Sequence, residues 1–455
     1  MKRFWLILLS LGLIMARSLS AHAADVKFSG EYYVAGMYLN HVDQRKDAST
    51  TFTRSTAFFY QRLRLGTDFV VSPCLKLVTR MDIMERVWEP DSTSNYAPVI
   101  YDTSVDSSGA ATKKAAGYGN ADARNLDFDI VYIDYTSPIG LFQIGYMPDY
   151  VWGTVWGNRG SGPTAGQIKY MLPVGPVTMV FAYAKENEKD YWVDDKTVVA
   201  NDRDYDSYRI GPIYKFKGDK VSGETGLLFV YNHDATGRGS DDKITTSYVL
   251  QPYLKGKFGP VSLQGEINYA FGQIEYDSAA DQDISSFTAF LDADAKFGIF
   301  SVGGSLAFVQ GDDDSTDDEI NNFQTGGRDW DPCWMMFNNS TLNSWVGGIK
   351  TYTNNVGGEM SNAWFGQLRA GIEPTSKLKL IASVSYAKAD KEPTGYVDDE
   401  YGWEVDLTGA FKITNNLTYM LGAGYFFTGD YYKGTSSSHQ IEDNYMLINK
   451  LTLAF

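Results

Sequence analysis

Long apolar runs are missing from most of this chain. Beyond residue 23 no stretch approaches the roughly 18 consecutive apolar residues that a membrane-crossing helix needs, although 44% of residues are hydrophobic. A helical membrane protein is excluded. Cysteine is nearly absent: Cys74 and Cys333 stand 259 positions apart, too few to staple a chain of this length. Histidine is scarce as well, with His22, His41, His233 and His439 the whole set. None stands near a Ser or Cys in a nucleophile motif, so a triad hydrolase is not expected, and neither is any other enzyme. Positive charge is the minority sign, with 40 Lys and Arg against 56 Asp and Glu and a net charge of −16. No basic cluster appears, which excludes a nucleic-acid groove.

What is present begins with a leader. Lys2 and Arg3 precede an apolar run over Phe4–Ile14, and Ala21-His22-Ala23 is a small-x-small cleavage site. Residues 1–23 are expected to be a secretory signal peptide and residues 24–455 a single mature unit. Removing Lys2, Arg3 and Arg17 takes three positive charges, leaving −19 from −16. Glycine (44), tyrosine (31) and an aromatic content of 15% are the chain's distinguishing features.

The dominant period is two. In Gln61-Arg62-Leu63-Arg64-Leu65 the leucines share one face and the arginines the other, and Leu263-Gln264-Gly265-Glu266-Ile267 and Trp403-Glu404-Val405-Asp406-Leu407 repeat the pattern. Alternation hides a membrane face inside average hydropathy, and the mean of −0.27 fits that. Short turns such as Ser72-Pro73, Ser137-Pro138-Ile139-Gly140 and Phe258-Gly259-Pro260 alternate with long Asp/Gly/Ser-rich stretches such as residues 90–124, 186–204 and 311–362. Eight short and nine long connections imply eighteen strands, with sixteen as the alternative count and both termini on the short-turn side. The fold expected is an all-β, transmembrane, antiparallel up-and-down barrel with short periplasmic turns and long external loops. Such a barrel works as a passive pore in the outer membrane, among lipid and lipopolysaccharide. Terminal Phe455, on a face with Tyr445, Leu447, Leu451 and Leu453, is similar to the signal read by the barrel-assembly machinery.

Alternation also assigns the lumen. Inward bases are Arg62, Arg64, Lys76, Arg80, Lys169, Arg209 and Arg369; inward acids are Glu224, Glu266, Asp292, Asp294, Glu404 and Asp406. The bases fall mostly in the first half and the acids in the second. Two readings stay open: opposed charged walls that set ion selectivity, or charges that pair with neighbours. Asp312, Asp314, Asp317 and Asp318 form an acidic run lacking the glycine of a calcium loop, so a solvated loop is expected there rather than a metal site. Residues 311–362 are too long for a simple connection. With Trp330, Trp334, Trp345, Met335 and Met336, they are expected to fold into the pore or over its rim. Cys74, at a short turn, and Cys333, in that loop, lie on opposite sides of the membrane and are expected to stay unbonded.

The segments Gly402–Leu407 and Leu417–Asp430, with Gln61–Arg64, Arg80–Trp88 and Phe142–Gly160, resemble strands of the alginate-export-type porins. The resemblance implies an eighteen-stranded barrel whose Arg- and Lys-lined lumen passes anionic sugars. Arg62, Arg64, Glu404 and Asp406 are the positions it carries over. The inward acids nearly match the inward bases, a departure from that family's basic lumen. A general channel for small hydrophilic solutes, leaning toward anions, is therefore the function expected, with a dedicated polysaccharide conduit or an adhesive barrel as alternatives. No cofactor is expected, and the oligomeric state is open between monomer and trimer.

Overall fold

Successive side chains on a strand point to opposite sides, so a closed sheet sorts one sequence into two surfaces. The computed structural model describes residues 25–46, 55–88, 99–105, 111–115, 126–158, 164–189, 203–238, 243–312 and 317–455. Residues 1–23, expected to be a leader, lie outside them. Eighteen strands form the barrel: β1 Asp25–Leu39, β2 Thr56–Ser72, β3 Leu75–Val87, β4 Leu126–Ser137, β5 Gly140–Pro148, β6 Thr164–Val174, β7 Val177–Asn187, β8 Tyr205–Lys217 and β9 Val221–Asp234. They continue as β10 Lys243–Phe258, β11 Val261–Tyr276, β12 Gln282–Phe297, β13 Phe300–Val309, β14 Ala363–Thr375, β15 Leu378–Ala389, β16 Glu400–Lys412, β17 Leu417–Thr428 and β18 Asn444–Ala454. Each pairs antiparallel with its neighbours. The sheet closes where β1 meets β18, from Glu31 opposite Ala454 to Leu39 opposite Met446. Closure leaves no barrel edge to template aggregation. Outside the barrel, Val99–Val105 pairs with Ala111–Ala115.

The alternation is obeyed strand by strand. On β14, Leu368 is 70% exposed on the outer wall while Gln367 is 5% exposed inside. Leu306, Leu407, Leu421 and Leu451 all face outward, where hydrocarbon rather than water must meet them. Aromatic rings mark both ends of this apolar belt. Toward the long loops, Tyr183, Tyr208, Tyr231, Tyr248 and Phe271 touch in series across β7 to β11, at centroid spacings from 5.2 to 6.0 Å. Toward the short turns, Tyr135, Phe142 and Tyr170 do the same across β4 to β6. Two such girdles are what interfacial headgroups select. Phe455 completes the seam: its backbone exchanges hydrogen bonds with Gly30 (2.8 and 3.0 Å), and its ring lies where a Cβ on Gly30 would sit, 2.6 Å away.

Candidate functional site: a lumen narrowed by two inserted loops

The core of this barrel is built by loops entering the lumen. Residues 321–362 carry Met335, Met336, Leu342, Ile349, Val356 and Met360, each no more than 1% exposed, and pack them against inward side chains of β1, β2 and β13 to β18. Trp345 lies 4.3 Å, centroid to centroid, from Tyr60 of β2, and Phe337 meets Phe365 and Tyr401 edge-on. The loop has internal order as well. Gly326 and Met360 exchange backbone hydrogen bonds at 3.0 Å, and Asn338 caps the turn of π-helix at Asn339–Asn343 through the Thr341 and Leu342 amides. Asp331 accepts from the Asn339 and Ser340 amides, while burial pushes its carboxyl above the usual range.

A second insertion, residues 149–158, seats against β7 to β11. Trp152 donates to the Gln251 carbonyl (3.2 Å), and its indole fills space that Cβ atoms on Gly211 and Gly226 would occupy, 3.1 and 3.0 Å away. Trp156 donates to Thr288 (3.1 Å) and touches Trp330, so the two loops meet.

Both loops are held by a lumen glutamate. Glu404 of β16 accepts the Met335 and Met336 amides, each at 2.7 Å. Glu266 of β11 accepts the Thr154 amide (2.9 Å) and hydroxyl (2.8 Å), with Gly153 and Gly157 pressed against its carboxylate. Orphaning a buried backbone donor costs about 1–3 kcal/mol. Glu266→Ala is therefore expected to loosen the shorter loop. The measurement is limited proteolysis of the folded barrel: cleavage within residues 149–158 should quicken, and an unchanged digestion pattern would remove Glu266 from this role. Sterics add to the longer loop's seat. A Cβ on Gly422 would fall 2.5 Å from the Trp334 indole. Gly422→Val is expected to cost about 1–3 kcal/mol of overpacking and to lower the urea midpoint; an unaltered midpoint would place Trp334 elsewhere.

The structure separates the inward assignments by what covers them. Glu404 (0% exposed), Asp406 (5%) and Glu266 (3%) are sealed beneath the loops. They are corrected from candidate filter residues to loop contacts. Arg209 receives the same correction. It is buried, donates to the Asp149 carbonyl (2.5 Å) and carboxylate (2.7 Å), pairs with Glu186, and stacks 4.2 Å from the Tyr150 ring centroid. It pins the start of the shorter loop.

The two opposed charged walls give way to local pairing. Arg369 binds Asp292 (2.7 Å) and Asp294 (2.8 Å). Glu224 pairs with Lys255 at 3.0 Å, and Lys76 with Asp68 at 2.9 Å. Arg64 makes a two-pronged bond to Asp82 (2.8 and 2.7 Å), and Arg80 reaches Asp129 (2.6 Å). Sequence reasoning passed over Asp82, Glu85, Asp129, Lys255 and Lys450. Period two alone would have flagged Asp82, two residues from Arg80, and Lys450, between the outward Asn449 and Leu451. Glu85 needed a backbone irregularity: Met84 has φ of +53°, and the β2–β3 register shifts there. That bulge turns Glu85 to the side Asp82 already occupies, and both face Arg62.

Arg62 is the loosest of these cations. Its carboxylate contacts are long, 3.5 Å to Glu85 and 4.0 Å to Asp82, and its buried Nε has no partner. Its guanidinium lies 5.3 Å from the Tyr33 ring, and the Lys450 ammonium lies 4.2 Å from the same ring. Among the described residues neither Lys450 nor Lys169 forms an ion pair. In the acidic run, Asp317 caps the Glu319 amide (2.9 Å) and the Asp318 carbonyl accepts from the Asp283 amide (2.6 Å). Asp314 lies outside the described residues. Cys74 and Cys333 are both free thiols.

This architecture is that of a porin-type transmembrane β-barrel. No protein-family model matches the chain, and no curated protein matches it in sequence. Solved structures match it in fold. A BenF-like porin from Pseudomonas fluorescens Pf-5 superposes with a TM-score of 0.51 at 11% identity, over 95% of this chain and 99% of that one. A double variant of OccD1 (OprD) gives 0.50 at 14% identity, over 96% and 98%. Pseudomonas aeruginosa OccK2 (OpdF), solved with glucuronate, gives 0.49 at 13% identity, over 96% and 99%. The first two of these likenesses support the barrel architecture.

Proposed function

We propose that this chain is a passive diffusion channel of the outer membrane for small hydrophilic solutes, with a preference for anions. The observation that carries this reading is the unequal covering of the lumen charges. The inserted loops seal three acids, Glu266, Glu404 and Asp406, against one base, Arg209, whereas Arg62, Arg64 and Arg80 keep about a fifth of their side-chain surface open. Arg62, Lys169 and Lys450 are also incompletely neutralised. A narrowed, low-dielectric passage with uncovered cations favours anions. The leader at residues 1–23 supplies export, Phe455 the assembly signal, and the aromatic girdles the contact with lipid and lipopolysaccharide. The activity is transport rather than catalysis.

Planar-bilayer recording tests the proposal. An ohmic conductance with a modest anion-selective reversal potential in a salt gradient is expected. The alternative of an alginate-export-type conduit draws on the same cations and predicts a small, strongly anion-selective current that a polyuronate blocks. A barrel without conductance would end both readings and leave adhesion.

A further inference from the structure

A thiol and two carboxylates converge where the longer loop meets the barrel wall. The Cys333 sulfur, a Glu404 oxygen and an Asp406 oxygen all lie within 4.8 Å of one another. The three residues are buried, at 4%, 0% and 5% exposure. Asp406 Oδ1 is fully enclosed and has no hydrogen-bond partner. Among the described residues no Lys, Arg or His forms an ion pair with any of the three. The space between the carboxylates exists because position 424 is glycine: a Cβ there would come 2.7 Å from Asp406 Oδ1 and 3.3 Å from Glu404 Oε1. The thiol is held in place by its own backbone. Gln367 donates to the Pro332 carbonyl (2.6 Å) and Asn338 to the Cys333 carbonyl (2.8 Å).

Burying acids together without a cation is costly, by several kcal/mol for each ionised group. We propose that Cys333, Glu404 and Asp406 form a site for a single divalent transition-metal ion of the zinc type, which ties the inserted loop to the wall. The donor set selects the class. Calcium and magnesium take oxygen ligands and do not recruit thiolates, whereas cuprous ion prefers sulfur throughout. One thiolate with two carboxylates suits a borderline ion that accepts sulfur and oxygen at about 2.0–2.3 Å. Glu404 can ligate while still holding the loop, because each oxygen has a second lone pair beyond the one that accepts an amide. Asp406 Oδ1 gains the partner it lacks. On binding, the thiol proton and any carboxyl proton pass to water, so uptake is coupled to proton release. The site does not depend on which solute the barrel passes.

Cobalt substitution tests it on the full chain, purified in detergent and confirmed as folded by heat-modifiable gel mobility. After chelator treatment, Co²⁺ should produce visible ligand-field bands and a near-ultraviolet thiolate-to-cobalt band. Both should saturate at a single ion per chain, and Zn²⁺ should abolish them. Cys333→Ser should lose the thiolate band and Cys74→Ser should keep it. Should Cys333→Ser fail to fold, Asp406→Asn provides the second reading, through a shifted ligand-field envelope and weaker binding. Folded protein without a thiolate band, a band that persists in Cys333→Ser, or a spectrum untouched by Asp406→Asn would each overturn the site.

Discussion

Excising residues 327–359, and joining Gly326 to Met360 through a short Gly-Ser bridge, is expected to raise single-channel conductance by about twofold or more. The junction is set by geometry, because Gly326 and Met360 already exchange a pair of backbone hydrogen bonds at 3.0 Å. The excised segment is the larger of the two insertions. It carries Met335, Met336, Leu342 and Ile349 into the lumen, where they displace water that would carry current. The barrel does not need it to close, since β13 pairs with β14 directly over Phe300–Val309. Glu404 and Asp406, freed of their cover, become hydrated carboxylates on the lumen wall, so anion preference should fall as conductance rises. Gel mobility of heated and unheated samples reports whether the variant folds. A folded variant with wild-type conductance would mean that the loop does not obstruct the conducting path. Glu404→Ala should act in the same direction and more weakly, as brief openings, because Trp345 against Tyr60 and Phe337 against Phe365 still hold the loop.

Most of the barrel could be read from the sequence because a strand reports its environment locally. Leu368 and Arg369 are neighbours in sequence and strangers in solvent, and that contrast needs no knowledge of the fold. The alternation of long and short connections then made the strands countable. The site was harder, for two reasons. Pairing depends on register, which is a relation between strands: Arg64 finds Asp82, and Arg369 finds Asp292, only once β2 lies on β3 and β14 is two strands from β12. Covering depends on loops that return to the lumen from far along the chain. Met335 and Glu404 are separated by 69 positions, and no periodicity in β16 shows that its acids will be sealed. One trace of the seating was present. Gly422 and Gly424 are inward positions on β17, and glycine at an inward position marks a close approach by something else. At Gly422 that something is the Trp334 indole; at Gly424 it is the Asp406 carboxylate with Trp334 beside it.

Reversing the charge of Arg62 and Arg64 together, as Arg62→Glu with Arg64→Glu, is expected to turn the channel from anion- to cation-preferring. The two positions contribute differently. Arg62 is poorly neutralised, so its replacement removes a cation that solutes can reach. Arg64 spends its guanidinium on Asp82 at 2.8 and 2.7 Å and lies 3.7 Å from Asp129, so its replacement unmasks Asp82 besides adding a negative charge. The lumen around Tyr33 would then present the introduced carboxylates beside Asp82 and Glu85. Arg80 remains committed to Asp129, leaving Lys450 as the nearby counterweight. In a tenfold KCl gradient the reversal potential should change sign, within the limit of about 59 mV for a perfectly selective monovalent channel. The swing should shrink as salt rises, because the screening length falls from about 10 Å at 0.1 M to about 3 Å at 1 M. Lys296→Glu is the matching control. Lys296 pairs with Glu373 on the exposed short-turn rim, where its side chain is 56% open to solvent, and screening there should leave selectivity almost untouched. A double variant that folds, conducts and keeps the wild-type reversal potential would show that solutes do not pass along the β2 wall, and the anion preference would then have to come from Lys169 on β6.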